Sequence, residues 1–206
     1  MIKEKEIQAL NQKLRNASPK AIIEVALNVN AKSVITTNFR PYEAAILHAV
    51  SNVDSEISVI WCDTGYNTRQ TYKHANELIE NLKLNVSLYV PKQTTAHRDV
   101  TMGIPNIDDP MHKEFTEQVK LEPFRRAMNT HQPNIWFTNL RKGQTAFRDS
   151  IDIFSLGSDG ILKVSPFYHW SDNDLDVYLE EHNLPNEFKY FDPTKVLDNR
   201  ECGIHA

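Results

Sequence analysis

Cysteine is nearly absent from this 206-residue chain, which has only Cys62 and Cys202. Two thiols exclude a disulfide framework and a four-cysteine metal site. Both are expected as free thiols in a reducing compartment. Long apolar runs are missing too, which excludes a membrane-spanning helix. The opening MIKEKEIQALNQKL alternates charged and apolar residues where a secretion leader would carry an unbroken apolar core. The expectation is a cytoplasmic protein with no membrane partner. There is no basic excess: the formal charge of −4 argues against a nucleic-acid partner. A G-x-x-x-x-G-K-[ST] phosphate loop is absent, as are internal repeats and low-complexity tracts. What remains is ordinary globular material, 40% hydrophobic and 24% charged, enough for one domain with a sizeable core.

Apolar spacing predicts two N-terminal helices within residues 1–30, the second opened by Ser18 as N-cap and Pro19 at the first helical position. SVITT (33–37), EISVIWCD (56–63) and NIWFTNL (134–140) read as buried strands, and NVSLYV (85–90) as a further strand. Helical patterns follow the first two, RPYEAAILHAVSNV and TRQTYKHANELIENLKL, and EPFRRAMNTH reads as a helix entered at Pro123. Strand–helix alternation with short connections predicts an α/β fold, a parallel sheet flanked by helices. Residues 91–119 read as loop with one short helix at most. Two short apolar runs around Gly157–Gly160 form a hairpin signature. A last helix opens at Ser171 and ends before Pro185. Residues 1–185 are thus expected to form a single α/β domain, and 186–206 a polar tail.

In parallel α/β sheets ligands bind at the carboxyl ends of the strands. Three strand ends here carry polar residues. TTNFR (36–40) sets hydroxyls, an amide and free backbone N–H groups before a helix, which suits a phosphate and equally suits an N-cap and turn. CDTGY (62–66) places Asp63 to accept from a ribose hydroxyl or an adenine amino group, or to cap the next helix. Gly65 would admit a ligand close to the backbone. LRKGQTAFR (140–148) belongs to a basic block of Lys120, Arg125, Arg126, Arg141, Lys142 and Arg148, with Glu122 as its one acid. Such an excess in an acidic chain points to an anion, because arginine's planar fork suits phosphate or sulfate. His48, His169 and His182 read as structural, and no spacing makes them a metal set. Cys62 reads as a small residue near the core end of its strand. In the tail, Arg200 and His205 would lower the pKa of Cys202 and Glu201 would oppose them. Local chemistry leaves a reactive thiol and an idle one both open.

Together these stretches resemble the phosphoadenosine-phosphosulfate reductases, within the sulfonucleotide reductases. The tail RECGIH is similar to the family's R-E-C-G-L-H, and VIWCDTGYNTRQTY to its D-T-G-Y strand motif. KLEPFRRAM resembles K-x-E-P-x-x-R-A-L, NLRKGQTAFR resembles G-x-R-R-x-Q-S-x-x-R, and LKVSPFYHW resembles the hairpin with its K-x-x-P-x-x-x-W segment. SVITTNFRPYEAAILHAV resembles the modified pyrophosphate-binding loop and its helix, with Arg40 where the family usually has glycine. EFKYFDPTKVLD replaces a longer stretch that normally carries G-Y-x-S-x-G.

The resemblance implies an adenine-nucleotide-hydrolase-like (PP-loop) fold with a mobile C-terminal tail. It assigns Cys202 as the nucleophile. Thr36, Thr37, Asn38 and Phe39 would line the phosphate loop, and Asp63, Thr64, Gly65 and Tyr66 the nucleoside pocket. Lys120, Arg141, Gln144 and Arg148 would hold the phosphosulfate, with Arg200 and His205 closing over it. It further implies a sulfonucleotide substrate, thioredoxin or glutaredoxin as external reductant, no bound cofactor or metal, and compatibility with a homodimer. Cluster-bearing members carry extra cysteines that this chain lacks, and two thiols cannot hold an iron–sulfur cluster. That points to the cluster-free branch and the 3′-phosphorylated substrate. An adenylyl transferase on the same loop, or an idle nucleotide-binding protein, are the rival readings.

Overall fold

A computed structural model describes residues 4–28, 31–157 and 159–195. Arg200, Cys202 and His205 therefore lie outside the described residues. In chain order the elements are α1 (Glu4–Leu14), α2 (Pro19–Leu27), β1 (Ser33–Thr37), α3 (Glu43–Ser51), β2 (Ser58–Cys62), α4 (Arg69–Leu82), β3 (Asn85–Tyr89), α5 (Thr95–Thr101) and α6 (Met111–Thr116). They continue with α7 (Glu122–His131), β4 (Ile135–Phe137), α8 (Ala146–Asp149), β5 (Phe154–Leu156), β6 (Leu162–Val164) and α9 (Asp172–Glu181). The strands form one six-stranded sheet in the order β3-β2-β1-β4-β6-β5. All neighbours run parallel except β5 and β6, whose antiparallel register sets Phe154 opposite Val164, as the glycine-flanked hairpin signature predicts. No described helix is long and apolar enough to cross a membrane.

The local chemistry explains the elements. Val34, Ile35, Val59, Ile60 and Trp61 are nearly inaccessible because helices cover both faces of a parallel sheet. Ser18 caps α2 by accepting from Ala21 N, with Pro19 at the first turn. Ser171 and Asp174 close a capping box on α9. Phe39 stands edge-on to Trp61 with ring centroids 4.8 Å apart, tying the loop after β1 to β2.

Two expectations need correction. The span 91–119 holds two helices, α5 and α6, rather than one, and α6 runs into a π-helical turn at Glu117–Leu121 before α7. Pro123 lacks an N–H and its ring would crowd the preceding turn, so the widened turn accommodates it. Pro41 precedes α3 instead of sitting in it, because Tyr42, at φ 68°, is the N-cap.

Candidate active site

The chain reverses direction across the sheet at β1, which pairs with β2 on one side and β4 on the other. This is the switch point where α/β sheets bind ligands. A cavity of about 80 Å³ opens there, lined by Thr36 and Thr37 at the end of β1, by Asn38 just after it, and by Thr138 and Asn139 after β4. Four cations, Arg40, Lys120, Arg148 and Lys195, face two carboxylates, Glu43 and Asp192, around the same cavity. The lining is therefore net positive, as an anion requires.

Glu43 organises the loop after β1. Its carboxylate accepts from Thr37 Oγ1 at 2.7 Å, Asn38 N at 2.8 Å and Arg40 Nε at 2.8 Å. Thr37 Oγ1 in turn accepts from Phe39 N at 2.9 Å, and Thr36 Oγ1 accepts from Trp136 Nε1 at 2.9 Å. Phe39 at φ 53° and Tyr42 at φ 68° are left-handed non-glycine residues flanking Arg40 and Pro41, and such strain gathers at functional loops.

Asp63 orders the next loop. It accepts from Gly65 N at 2.9 Å, Asn67 Nδ2 at 2.8 Å and Tyr72 Oη at 3.0 Å. Burial and then the Asp63 charge push the Tyr72 phenol up to about 12, so it remains a donor to that carboxylate. The helix-capping alternative for Asp63 is not what the structure shows, since Thr68 caps α4. Gly65 sits at φ 80° with its carbonyl accepting from Thr95 Oγ1 at 3.1 Å.

Lys120 lies in the π turn, 1% exposed, and pairs with Asp192. Thr194 Oγ1 donates to Asp192 Oδ1 at 2.6 Å and accepts from Lys120 Nζ at 3.2 Å. Burial alone would raise the Asp192 pKa, but Lys120 and the Thr194 hydrogen bonds outweigh it and hold the carboxyl below its usual range. Arg141 donates to Asp172 and to Trp170 O, and lies over the Tyr42 ring at 5.4 Å. With Arg40, Asn139 and Gln144 it lines a neighbouring cavity of about 240 Å³. Arg148 is held by Gln144, one turn away on the same polypeptide stretch.

The model of the phosphoadenosine phosphosulfate reductase domain matches residues 32–191. The chain belongs to that family. A phosphoadenosine 5′-phosphosulfate reductase from Synechococcus sp. is 32% identical over 181 residues, covering 85% of this chain and 77% of the relative. The phosphoadenylyl-sulfate reductase structure from Candida auris, a phosphate complex, superposes with a TM-score of 0.79 at 23% identity over 90% of each chain. An FMN adenylyltransferase from Candida glabrata shares the fold more distantly, with a TM-score of 0.58 at 12% identity over 90% of this chain and 60% of that one. The fold is thus the mostly parallel, helix-flanked PP-loop architecture.

Within this member of the family, Thr36, Thr37, Asn38, Lys120 and Arg148 line the switch-point cavity. Thr64 borders a small adjoining recess with Asn38, Cys62 and Lys120, while Arg141 and Gln144 line the neighbouring cavity. Phe39 is fully buried as a prop. Asp63 and Gly65 shape the loop from behind, and the Tyr66 hydroxyl donates to Asp99 at 2.9 Å. The basic block divides. Arg125 pairs with Glu117, and Arg126 with Glu122 while lying over the Tyr89 ring of β3, and neither lines the cavity. Sequence reading missed Glu43, Asn139, Tyr190, Asp192 and Lys195 as lining residues. Cys62 also lines the cavity, and burial pushes its thiol up to about 12 despite Lys120 and Arg126. His48 is structural: Nδ1 lies 2.8 Å from Tyr178 Oη, and its ring is 4.5 Å from that of His182. His169 stands beside Asp152.

Proposed function

We propose that this chain reduces 3′-phosphoadenylyl sulfate to sulfite and adenosine 3′,5′-bisphosphate, with Cys202 as nucleophile and thioredoxin or glutaredoxin as electron donor. The observation that carries the reading is the cationic cavity at the switch point, where Lys120 and Arg148 face Thr36, Thr37 and Asn38. Lys195, which also lines it, stands seven residues before Cys202. Seven residues span at most about 25 Å, a tether long enough to let the thiol reach the cavity.

The Cys202 thiolate attacks the sulfate sulfur, forming S-sulfocysteine as the bond from sulfur to the bridging oxygen breaks and the bisphosphate leaves. Thr36, Thr37 and Asn38 at the switch point, with Lys120 and Arg148, would hold the phosphate oxygens and offset charge on the leaving group. A thiolate of the reduced partner then attacks Cys202 Sγ and expels sulfite. The partner's second thiol resolves the mixed disulfide, so two electrons pass from dithiol to sulfur. Cys62 is a poor candidate for resolving thiol, since its raised pKa keeps it protonated. The reaction belongs to sulfate assimilation in the cytoplasm.

Sulfite release measured with either nucleotide and a thioredoxin-coupled system tests the reading. Turnover with 3′-phosphoadenylyl sulfate well above that with adenylyl sulfate is expected. Preference for adenylyl sulfate would reassign the substrate, and ATP-dependent adenylylation surviving in Cys202→Ser would replace the reading by adenylyl transfer.

A further inference from the structure

Residues 183–195 follow α9 with neither helix nor strand, yet they cross the carboxyl end of the sheet and are fixed there at three points. Asn186 Oδ1 accepts from Tyr42 N, the N-cap of α3, at 2.8 Å. Lys189 O accepts from Thr68 Oγ1 at 2.6 Å and Thr71 Oγ1 at 3.2 Å, at the start of α4. Asp192 accepts from Lys120. At each point this segment supplies an oxygen acceptor and the body of the domain supplies the donor. Helix N-termini and a buried lysine are donors that a nucleotide's oxygens would also use.

Besides these points, the Phe188 ring stands edge-on to the Tyr42 ring at 5.8 Å. Phe188 is 64% exposed and Phe191 45%, so their apolar surface adds little burial, and the buried part is confined to Asp192, Pro193 and Thr194. Segments fixed by polar contacts with few buried apolar ones open at low cost. The cavity beneath, about 80 Å³, is smaller than the ~300–1,000 Å³ of pockets that enclose small-molecule ligands. We infer that residues 186–195 form a strap latched by the Lys120–Asp192 pair, and that an anionic ligand competes with Asp192 for Lys120. The strap must therefore lift for the site to fill, and Asp192 is the internal anion that keeps it down. The choice of nucleotide below rests on the proposed function, whereas the latch rests on these contacts alone.

Hydrogen–deuterium exchange over residues 186–195, with calorimetric binding of adenosine 3′,5′-bisphosphate, tests this on the full chain as wild type, Asp192→Asn and Thr194→Val. Asp192→Asn is expected to speed strap exchange. If the strap is latched in about nine molecules of ten, that variant also binds nucleotide about tenfold tighter. Nucleotide added to wild type should speed the same amides. Thr194→Val keeps the ion pair and should fall between the two, which preserves the test if Asp192→Asn folds poorly. Unchanged strap exchange in both variants would overturn the latch. Slower strap exchange on adding nucleotide to wild type would also overturn it, showing a clamp over the ligand instead of a competitor. Faster exchange in Asp192→Asn with no nucleotide binding by any form upholds the latch and removes the nucleotide reading.

Discussion

Replacing Glu43 by alanine tests the architecture of the loop after β1. The carboxylate is 6% exposed and serves Thr37 Oγ1, Asn38 N and Arg40 Nε. A hydrogen bond to a charged group contributes about 1.5–3 kcal/mol, so losing the Thr37 and Asn38 bonds costs about 3 kcal/mol at the low end. Arg40 is 24% exposed in its side chain and can turn to water, so its share is under about 1 kcal/mol. The sum is about 3–4 kcal/mol. With a urea slope near 2 kcal/mol/M, the unfolding midpoint should fall by about 1.5–2 M. Glu43→Gln keeps the shape and one acceptor and should lose less than half as much. Urea unfolding followed by fluorescence and by far-UV circular dichroism measures both. A loss below about 1 kcal/mol in Glu43→Ala would refute the assignment of Glu43 as the organiser of this loop.

Gly65→Ala should cost about 2 kcal/mol or more, because φ is 80° and a methyl there meets Thr95 Oγ1. Adding Thr95→Ala should recover the steric part, and strictly additive effects in that double-mutant cycle would exclude the contact. Cys62, with its thiol pushed up to about 12 by burial, should resist alkylation in native protein at pH 8 and react once unfolded; modification at the rate of an exposed thiol would contradict its burial. Burial, and then His182, lower the pKa of His48. Its folded pKa therefore lies below the unfolded value of 6.5, so stability is present above that pH and is lost as pH falls through it. Urea midpoints should drop between pH 7.5 and 5.5, less steeply in His48→Gln, and equal slopes in the two proteins would remove His48 from the effect.

The sheet was legible because its central strands are short β-branched or aromatic runs, such as Val34–Thr37 and Val59–Trp61, of the kind that pack a sheet covered on both faces. Helices α5 and α6 were not, because they are short and mostly polar. They are fixed by a few buried side chains, Arg98 in α5 and His112 and Phe115 in α6, and not by a periodic face. Counting charge found the basic block but not its counter-charges. Glu117 lies just before the block, and Asp172 and Asp192 reach Arg141 and Lys120 from far along the chain. The strap carries no periodicity at all. Its order comes from individual hydrogen bonds of Asn186, Lys189 and Asp192, which no pattern of apolar residues encodes.

The most direct measurement is the intact mass of the pure protein after mixing with 3′-phosphoadenylyl sulfate in the absence of reductant. A +SO₃ adduct that maps to Cys202 and disappears in Cys202→Ser is the expected result. An adduct that persists in Cys202→Ser, or sulfite release by that variant, would contradict the assignment of Cys202 as the nucleophile.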